Sequence, residues 1–295
     1  MAAKIGQFTG LKENTNKSNS HIDYELIDYG NGRKLERFGD IALDRPEILA
    51  YGKPALTKAQ WISISKGVFI EKMKTKGSWT LSEEVPDSWV FVYSFSGLSW
   101  RINLSLSPFK HIGVFPEQEE NWKFLMQNVK KGDRVLNLFG YTGAATLCAA
   151  IAGGDVFHVD SSKSIVKKAS ENAKLSGIEG IHWVVEDALA FAQREVKRGN
   201  RYRFIIMDPP IYGRGKRGEH WKLEDLLPTL VETAAKLLSK NGVLILNTYS
   251  QKVQLNDMTD IAKRQKLKIR KKGWLSVSGK NRQLNLSRFI ICASA

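Results

Sequence analysis

Three aspartates stand where apolar runs end. Asp160 closes "DVFHVD", Asp187 follows "IHWVVE", and Asp208 follows "YRFIIM". Twenty residues before Asp160 lies Gly140, where "RVLNLFGYTGAA" turns through Gly140 and Gly143 into an alanine-rich stretch. A carboxylate at that offset from such a turn is placed to accept from ribose hydroxyls. Asp187 is placed to accept from an adenine amine. The turn has two glycines where the dinucleotide pattern has three, which disfavours a bound pyrophosphate and a nicotinamide oxidoreductase. Carboxylates at consecutive strand ends repel phosphates and suit a cationic ligand. Asp208 precedes Pro209 and Pro210, which lack backbone donors and restrict the path of the chain. The carbonyls of that turn are expected to face outward as rigid acceptors. Tyr212, after Ile211, reads either as a base-stacking residue or as a packed loop aromatic. The loop "GRGKRGEHW" (213–221) either offers Arg214, Lys216 and Arg217 to a phosphate backbone or is a solvated turn.

These residues need a frame that brings strand ends together. From residue 116 the sequence alternates between short apolar runs and amphipathic stretches. "RVLNLFG", "DVFHVDS", "IHWVVED", "YRFIIMDPP" and "GVLILNTYS" read as strands, with helical patterns after each. "LKIRKKGWLSVS" and "SRFIICAS" add two extended runs. This predicts a Rossmann-like α/β fold: a seven-stranded, mainly parallel sheet, helices on both faces and a C-terminal antiparallel hairpin. In such sheets ligands bind beyond the carboxyl ends of the strands, where the aspartates lie. Residues 21–115 read as a small antiparallel β-rich domain, with hairpin turns at Gly30-Asn31-Gly32 and Ser96-Gly97. Residues 1–20 are polar and read as a disordered tail, and 116–295 as the α/β domain. The tryptophans of the N-terminal part read as core rather than as a stacking platform.

The motifs "LNLFGYTGAATL", "VDSS", "ENAKLSG", "VEDAL" and "DPP" together resemble a class I S-adenosylmethionine-dependent methyltransferase. "HIGVFPEQEENW" and "DPPIYGRGKRGEHW" are similar to the family related to bacterial large-subunit ribosomal RNA methyltransferases that act on cytosine C5 or guanine N7. The resemblance covers about residues 108–295. Residues 22–107 look like the β-rich N-terminal region of the same group, and a PUA-type RNA-binding domain is not evident. It implies S-adenosyl-L-methionine as methyl donor and no metal. It implies that Phe139, Gly140, Tyr141, Thr142 and Gly143 surround the methionine part of the cofactor, the two glycines leaving room for it. Asp160 and Ser161 would meet the ribose, Asp187 and Ala188 the adenine. Phe115 and Gln118 would close over the cofactor from the sheet's edge. Asp208 would face the cofactor amino group or the substrate, beside Pro209, Pro210 and Tyr212. Asn172 would support the loop rather than bind a ligand. Relatives that methylate cytosine C5 carry a cysteine after strand four or a Thr-Cys-Ser after strand five. This chain has Asp208-Pro209-Pro210 and Thr248-Tyr249-Ser250 there, so a nitrogen is the expected acceptor.

Bulk composition agrees with a polyanionic partner. The 295 residues carry 45 Lys and Arg against 30 Asp and Glu, a net charge of +15. After Asp260 the charged residues are all basic. Such a balance favours RNA, and the resemblance implies ribosomal RNA or a ribosomal particle as the partner. A protein or small-molecule acceptor, or a binding module without turnover, is the alternative. Cys148 and Cys292 sit in apolar runs and read as buried hydrophobes, with no disulfide framework or metal spacing. The expected compartment is a reducing cytoplasm.

Overall fold

The computed structural model describes residues 20–73, 76–82, 85–214, 220–280 and 282–294. The expected tail lies outside the described residues up to position 19, and Ser20 opens the first strand. The N-terminal part contains β1 (Ser20–Ile22), β2 (Tyr24–Gly30), β3 (Arg33–Phe38), β4 (Ile41–Pro46), helix α1 (Lys58–Ile64), β5 (Gly67–Met73), β6 (Lys76–Leu81), β7 (Ser88–Phe95) and β8 (Leu98–Ser105). The turns are where composition puts them. Asn31 and Gly32 have φ of 51° and 76°, and Ser96 and Gly97 have 51° and 82°. Positive φ at both central residues matches the twist of a tight hairpin.

The sequence expectation here is a small antiparallel domain, and the structure corrects it to two sheets, one of them mixed. Strands β2 to β6 form one sheet in chain order, and β1, β7 and β8 form another. Within the first, β4 and β5 pair in parallel, Leu43 opposite Gly67. The crossover through α1 returns the chain to start β5 in the direction of β4. Strands β7 and β8 stand apart because their alternating large residues face the α/β part. Phe91, Tyr93, Trp100, Ile102 and Leu104 are all buried in a cluster that also holds Trp122, Leu125, Leu147 and Cys148.

The α/β part follows the predicted alternation. A 3₁₀ turn at Pro116–Gln118 leads into α2 (Glu119–Asn128). Then come β9 (Arg134–Leu138), α3 (Ala144–Ile151), β10 (Asp155–Asp160), α4 (Lys163–Leu175), β11 (His182–Val185), α5 (Ala188–Lys197) and β12 (Tyr202–Met207). A short hairpin, β13 (Tyr212–Arg214) and β14 (His220–Lys222), precedes α6 (Leu223–Leu237). The chain ends in β15 (Leu238–Thr248), α7 (Leu255–Arg264), β16 (Lys268–Ser278) and β17 (Gln283–Ala293). The large sheet runs β11-β10-β9-β12-β15-β17-β16. Its first five strands are parallel, β17 is antiparallel to β15, and β16 to β17.

Alternation along the central strands sorts the core into two layers. Val135, Ile206 and Ile245 face α2, α3 and β7–β8, whereas Leu136, Leu138, Ile205 and Met207 face α5, α6 and α7. Each such side chain contributes about 1.5–3 kcal/mol on burial, which fixes the strand register. The first layer reaches across residue 115 without a gap: the Trp100 and Trp122 rings meet at 5.1 Å, 82° apart. Among the described residues no helix is long and apolar enough to cross a membrane.

Candidate active site

Beyond the carboxyl ends of β9, β10, β11, β12 and β15 lies a cleft of about 1420 Å³. The sheet side presents Phe139, Tyr141, Asp160, Ser161, Asp187, Ala188, Asp208, Pro209, Pro210 and Tyr212, and Phe115 lies at its edge. Those residues, picked out separately in the sequence, share one cavity. Gln118, Gly140, Thr142 and Gly143 do not line it, and each has a different structural task. Lys216 and Arg217 lie outside the described residues, as does the side chain of Arg214, whose backbone belongs to β13.

The loop after β9 is strained and tied down. Phe139 and Tyr141 have φ of 60° and 49°, the left-handed region that side chains disfavour. Tyr141 N donates to Asp160 Oδ2 at 3.1 Å, and Ser162 N to Asp160 Oδ1 at 2.9 Å. Two backbone donors therefore fix the Asp160 carboxylate at the cleft wall. The glycines are needed for reasons other than ligand space. A Cβ on Gly140 would stand 2.4 Å from the His158 ring, which lies under the loop on β10. Gly143 has φ of 98° as the cap of α3, and a Cβ there would meet Ala169 at 3.3 Å. His158 is itself buried, and burial pushes its pKa down to about 4, leaving it neutral. Its Nδ1 shares a hydrogen bond of 2.8 Å with Thr146 Oγ1.

Thr142 points away from the cleft and donates to the Gly113 carbonyl. Asn172 Nδ2 donates to the Thr142 carbonyl at 3.0 Å, and its Oδ1 accepts from Asn103 N at 2.9 Å. One side chain on α4 thus joins the loop to β8. Phe115 packs its ring against Tyr141 at 5.5 Å and Tyr249 at 5.7 Å, closing the edge of the cleft. Asp187 caps α5, its Oδ1 accepting from Ala190 N at 2.8 Å.

Asp208 sits at the end of β12 with one edge open to the cleft. Asn247 Nδ2 donates to its Oδ1 at 2.6 Å, and Gln118 Nε2 stands 3.4 Å from its Oδ2. Burial, then the nearby Glu117, pushes the Asp208 pKa up to about 8, against the Asn247 hydrogen bond. Burial also raises Glu117, which accepts from Tyr249 OH at 3.0 Å. Two carboxyls this poorly solvated favour a cation between them. The Pro210 carbonyl is taken by the Trp221 indole at 2.6 Å, and the Trp221 ring rests on Phe139 at 5.2 Å. Tyr212 is 61% exposed, so it is not a packed loop aromatic.

Sequence reasoning passed over Glu117, Tyr249 and Trp221. Glu117 lies between the two residues singled out at positions 115 and 118, and Tyr249 lies one residue past the end of β15. The rule that marks strand ends reaches Tyr249, whereas Glu117 lies in the 3₁₀ turn before α2, inside the segment expected to close over the cofactor. The opposite wall of the cleft has no local signature: it comes from Lys34, Arg45, Glu47, Ile48 and Lys110 of the N-terminal part.

The donor set fits S-adenosylmethionine: a fixed carboxylate at ribose distance in sequence, a second at the next strand end, and a carboxyl pair beside the loop. Fold and cleft together define the class, an S-adenosylmethionine-dependent methyltransferase. The chain belongs to the family described as conserved hypothetical protein 95, whose model matches residues 118–276. It is 35% identical to the S-adenosylmethionine-dependent methyltransferase from Agrobacterium tumefaciens, with a TM-score of 0.84, covering 92% of this chain and 90% of that one. It is 31% identical over 158 residues to the ribosomal RNA large subunit methyltransferase K/L of Shewanella frigidimarina. That match covers 53% of this chain and 22% of the relative, so the chain spans about a fifth of that protein's length. The tRNA m1G37 methyltransferase of Methanocaldococcus jannaschii is 12% identical, with a TM-score of 0.55 over 85% of this chain and 68% of that one, and shares the fold.

Proposed function

We propose that the protein transfers a methyl group from S-adenosylmethionine to a nitrogen of an RNA base, with ribosomal RNA the preferred substrate. The observation that carries the reading is Asp208: a desolvated carboxyl, held by Asn247, at the strand end that faces a cleft larger than one cofactor needs. The net charge of +15 and the kinship to a ribosomal RNA methyltransferase support an RNA acceptor.

The cofactor, when bound, supplies an activated sulfonium methyl, so the residues have only to bind, align and exclude water. In this reading Asp160 and Ser161 accept from the ribose, and Asp187 and Ala188 flank the adenine. Phe115 and Tyr141 cover the methionine end, and Glu117 and Asp208 balance positive charge there. Asp208 accepts a hydrogen bond from the base amine, which aims the nitrogen lone pair along the transfer line, and takes the proton that the nitrogen sheds as its bond to the methyl group forms and the sulfur–methyl bond breaks. Asn247 and Gln118 hold the carboxyl in place. Tyr212 stacks on the base at the rim, and Pro209 and Pro210 fix the direction of the turn. Arg214, Lys216 and Arg217 meet the phosphate backbone. The cysteines have no part: both are buried, and burial raises the Cys292 thiol to about 12 and the Cys148 thiol further.

The deciding experiment follows labelled methyl groups from the cofactor into RNA, protein and metabolite fractions of cells that lack the protein. Label in RNA, recovered in a base methylated at nitrogen and lost with Asp160→Ala, is the expected result. Label in the protein or metabolite fraction overturns the reading, and unchanged cofactor affinity in Asp160→Ala overturns the site assignment.

A further inference from the structure

The two walls of the cleft have opposite charge. The sheet side presents Asp160, Glu186, Asp187 and Asp208, with no lysine or arginine among its described residues. The lysines and arginines among the described lining residues are Lys34, Arg45 and Lys110, all from the N-terminal part. Among the described residues the sheet side therefore supplies no cation to neutralise an anionic ligand group.

The three cations differ in how they are engaged. Arg45 lies in a buried pair with Glu36, its Nε at 2.9 Å and Nη2 at 2.6 Å from Oε2. Lys34 Nζ is 3.2 Å from Glu36 and 3.7 Å from Glu47. Lys110 is different. Its ammonium donates to the Pro46 carbonyl at 3.4 Å and makes no ion pair among the described residues. Burial, with Lys34 and Arg45 close by, weakens its hold on its proton despite Glu47. Such an ammonium has donors to give and gains from an anion. The chain around it is anchored: Arg45 Nη1 donates to the Lys110 carbonyl at 3.0 Å, so the buried ion pair positions this residue. Ile48, an apolar side chain that is 68% exposed, lines the same cleft. The exposed Tyr212 lines it too.

We propose that Lys110 is a substrate-positioning residue that binds a phosphate of the RNA at the mouth of the cleft. The proposal rests on the RNA reading above. A base inserted toward Asp208 has its sugar and phosphate at the opposite end of the nucleotide, toward solvent. That places the phosphate on the N-terminal wall, where Lys110 offers charge and Ile48 offers apolar contact to the sugar. The N-terminal part then does more than support the fold: it holds the backbone while the sheet holds the base.

The test uses the full chain, a labelled mixed-sequence single-stranded RNA of about 20 nucleotides, and the variants Lys110→Met and Lys110→Arg. Methionine keeps the aliphatic stem and removes the charge. In Lys110→Met, RNA affinity is expected to fall about tenfold, and the slope of log affinity against log salt to drop by about 0.7, the loss of one single-strand phosphate contact. Lys110→Arg should bind nearly as the natural protein does. Affinity for S-adenosylhomocysteine should be unchanged in both. Unchanged RNA affinity and slope in Lys110→Met overturn the proposal. Loss of S-adenosylhomocysteine affinity also overturns it, by placing the ammonium on the cofactor carboxylate. A natural protein that binds no RNA fails the RNA reading itself, and this proposal with it.

Discussion

At the scale of single residues, Asp208 carries a cost that the fold accepts. Its pKa stands near 8 instead of 3.8, so the folded protein keeps a proton there that the unfolded chain has released. Linkage then gives the sign. Between about pH 4 and pH 8 Asp208 lowers the stability of the unliganded protein as pH rises, because at this group the folded state holds a proton that the unfolded one has released. Melting temperatures measured without cofactor from pH 5 to pH 9 should decline more steeply in the natural protein than in Asp208→Asn. Equal slopes would show that Asp208 does not titrate in this way. The same group sets activity in the proposed mechanism. The ionised carboxylate is the form that accepts from the amine, so kcat/KM should climb with pH toward about 8. Asp208→Asn should flatten that limb and lower kcat by a factor of about 10²–10⁴, the range typical of a positioned proton acceptor. The cysteines give the opposite expectation. Cys148→Ser with Cys292→Ser should keep methyl transfer, and loss of activity at unchanged melting temperature would restore a thiolate mechanism.

At the scale of elements, the unit that matters is β9, its loop and the helices behind it. Gly140 is required because the His158 ring fills the space beneath, so two elements are fitted to one another. Gly140→Ala should unseat the loop, lower the melting temperature and weaken cofactor binding. Adding His158→Ala removes the obstructing ring and should recover much of the cofactor affinity. A double variant as damaged as Gly140→Ala alone would mean that the loop needs glycine for its own backbone. The contrast marks what was legible in the sequence. Strand ends, the glycine turn and Asp160, Asp187 and Asp208 were legible because each depends on a short-range pattern. Period-two apolar runs and turn residues announce themselves within ten residues. The N-terminal wall was not legible. Arg45, Glu36 and Lys110 meet through a buried ion pair and a carbonyl contact 65 positions apart, and no local pattern encodes such a meeting. The second N-terminal sheet was missed for a similar reason. The alternation of β7 and β8 shows that one face is buried, and not that the covering partner is α2 and α3. Likewise the glycine signature was readable, but its cause, a histidine from the next strand, was not.

At the scale of the whole molecule, the charge has more than one use. Lys268, Arg270 and Lys272 are exposed on β16, the edge of the large sheet. Lysine and arginine on an edge strand deter pairing with other chains, so part of the excess is protective. Lys271 on the same strand pairs with Glu120 of α2. The larger consequence comes from the core. Trp100, Tyr93 and Leu104 pack on Trp122, Leu125 and Leu147, and the Trp100 indole donates to Cys148 Sγ at 3.1 Å. Asn103 N and the Gly113 carbonyl serve Asn172 and Thr142, so the cofactor loop depends on residues before 116. At the far side Arg282 donates to Asp28 Oδ1 and to the Tyr29 carbonyl, each at 2.7 Å. A fragment of residues 116–295 would expose one whole face of α2 and α3 and strand the loop's polar groups. Each buried group left without a partner costs about 1–3 kcal/mol, and total stability is only about 5–15 kcal/mol. The fragment should therefore show no cooperative melting transition, bind hydrophobic dyes and fail to bind S-adenosylhomocysteine, whereas the full chain melts in one step. A fragment that melts cooperatively and binds S-adenosylhomocysteine would instead establish two independent domains, with the N-terminal part an attachment to a complete cofactor site.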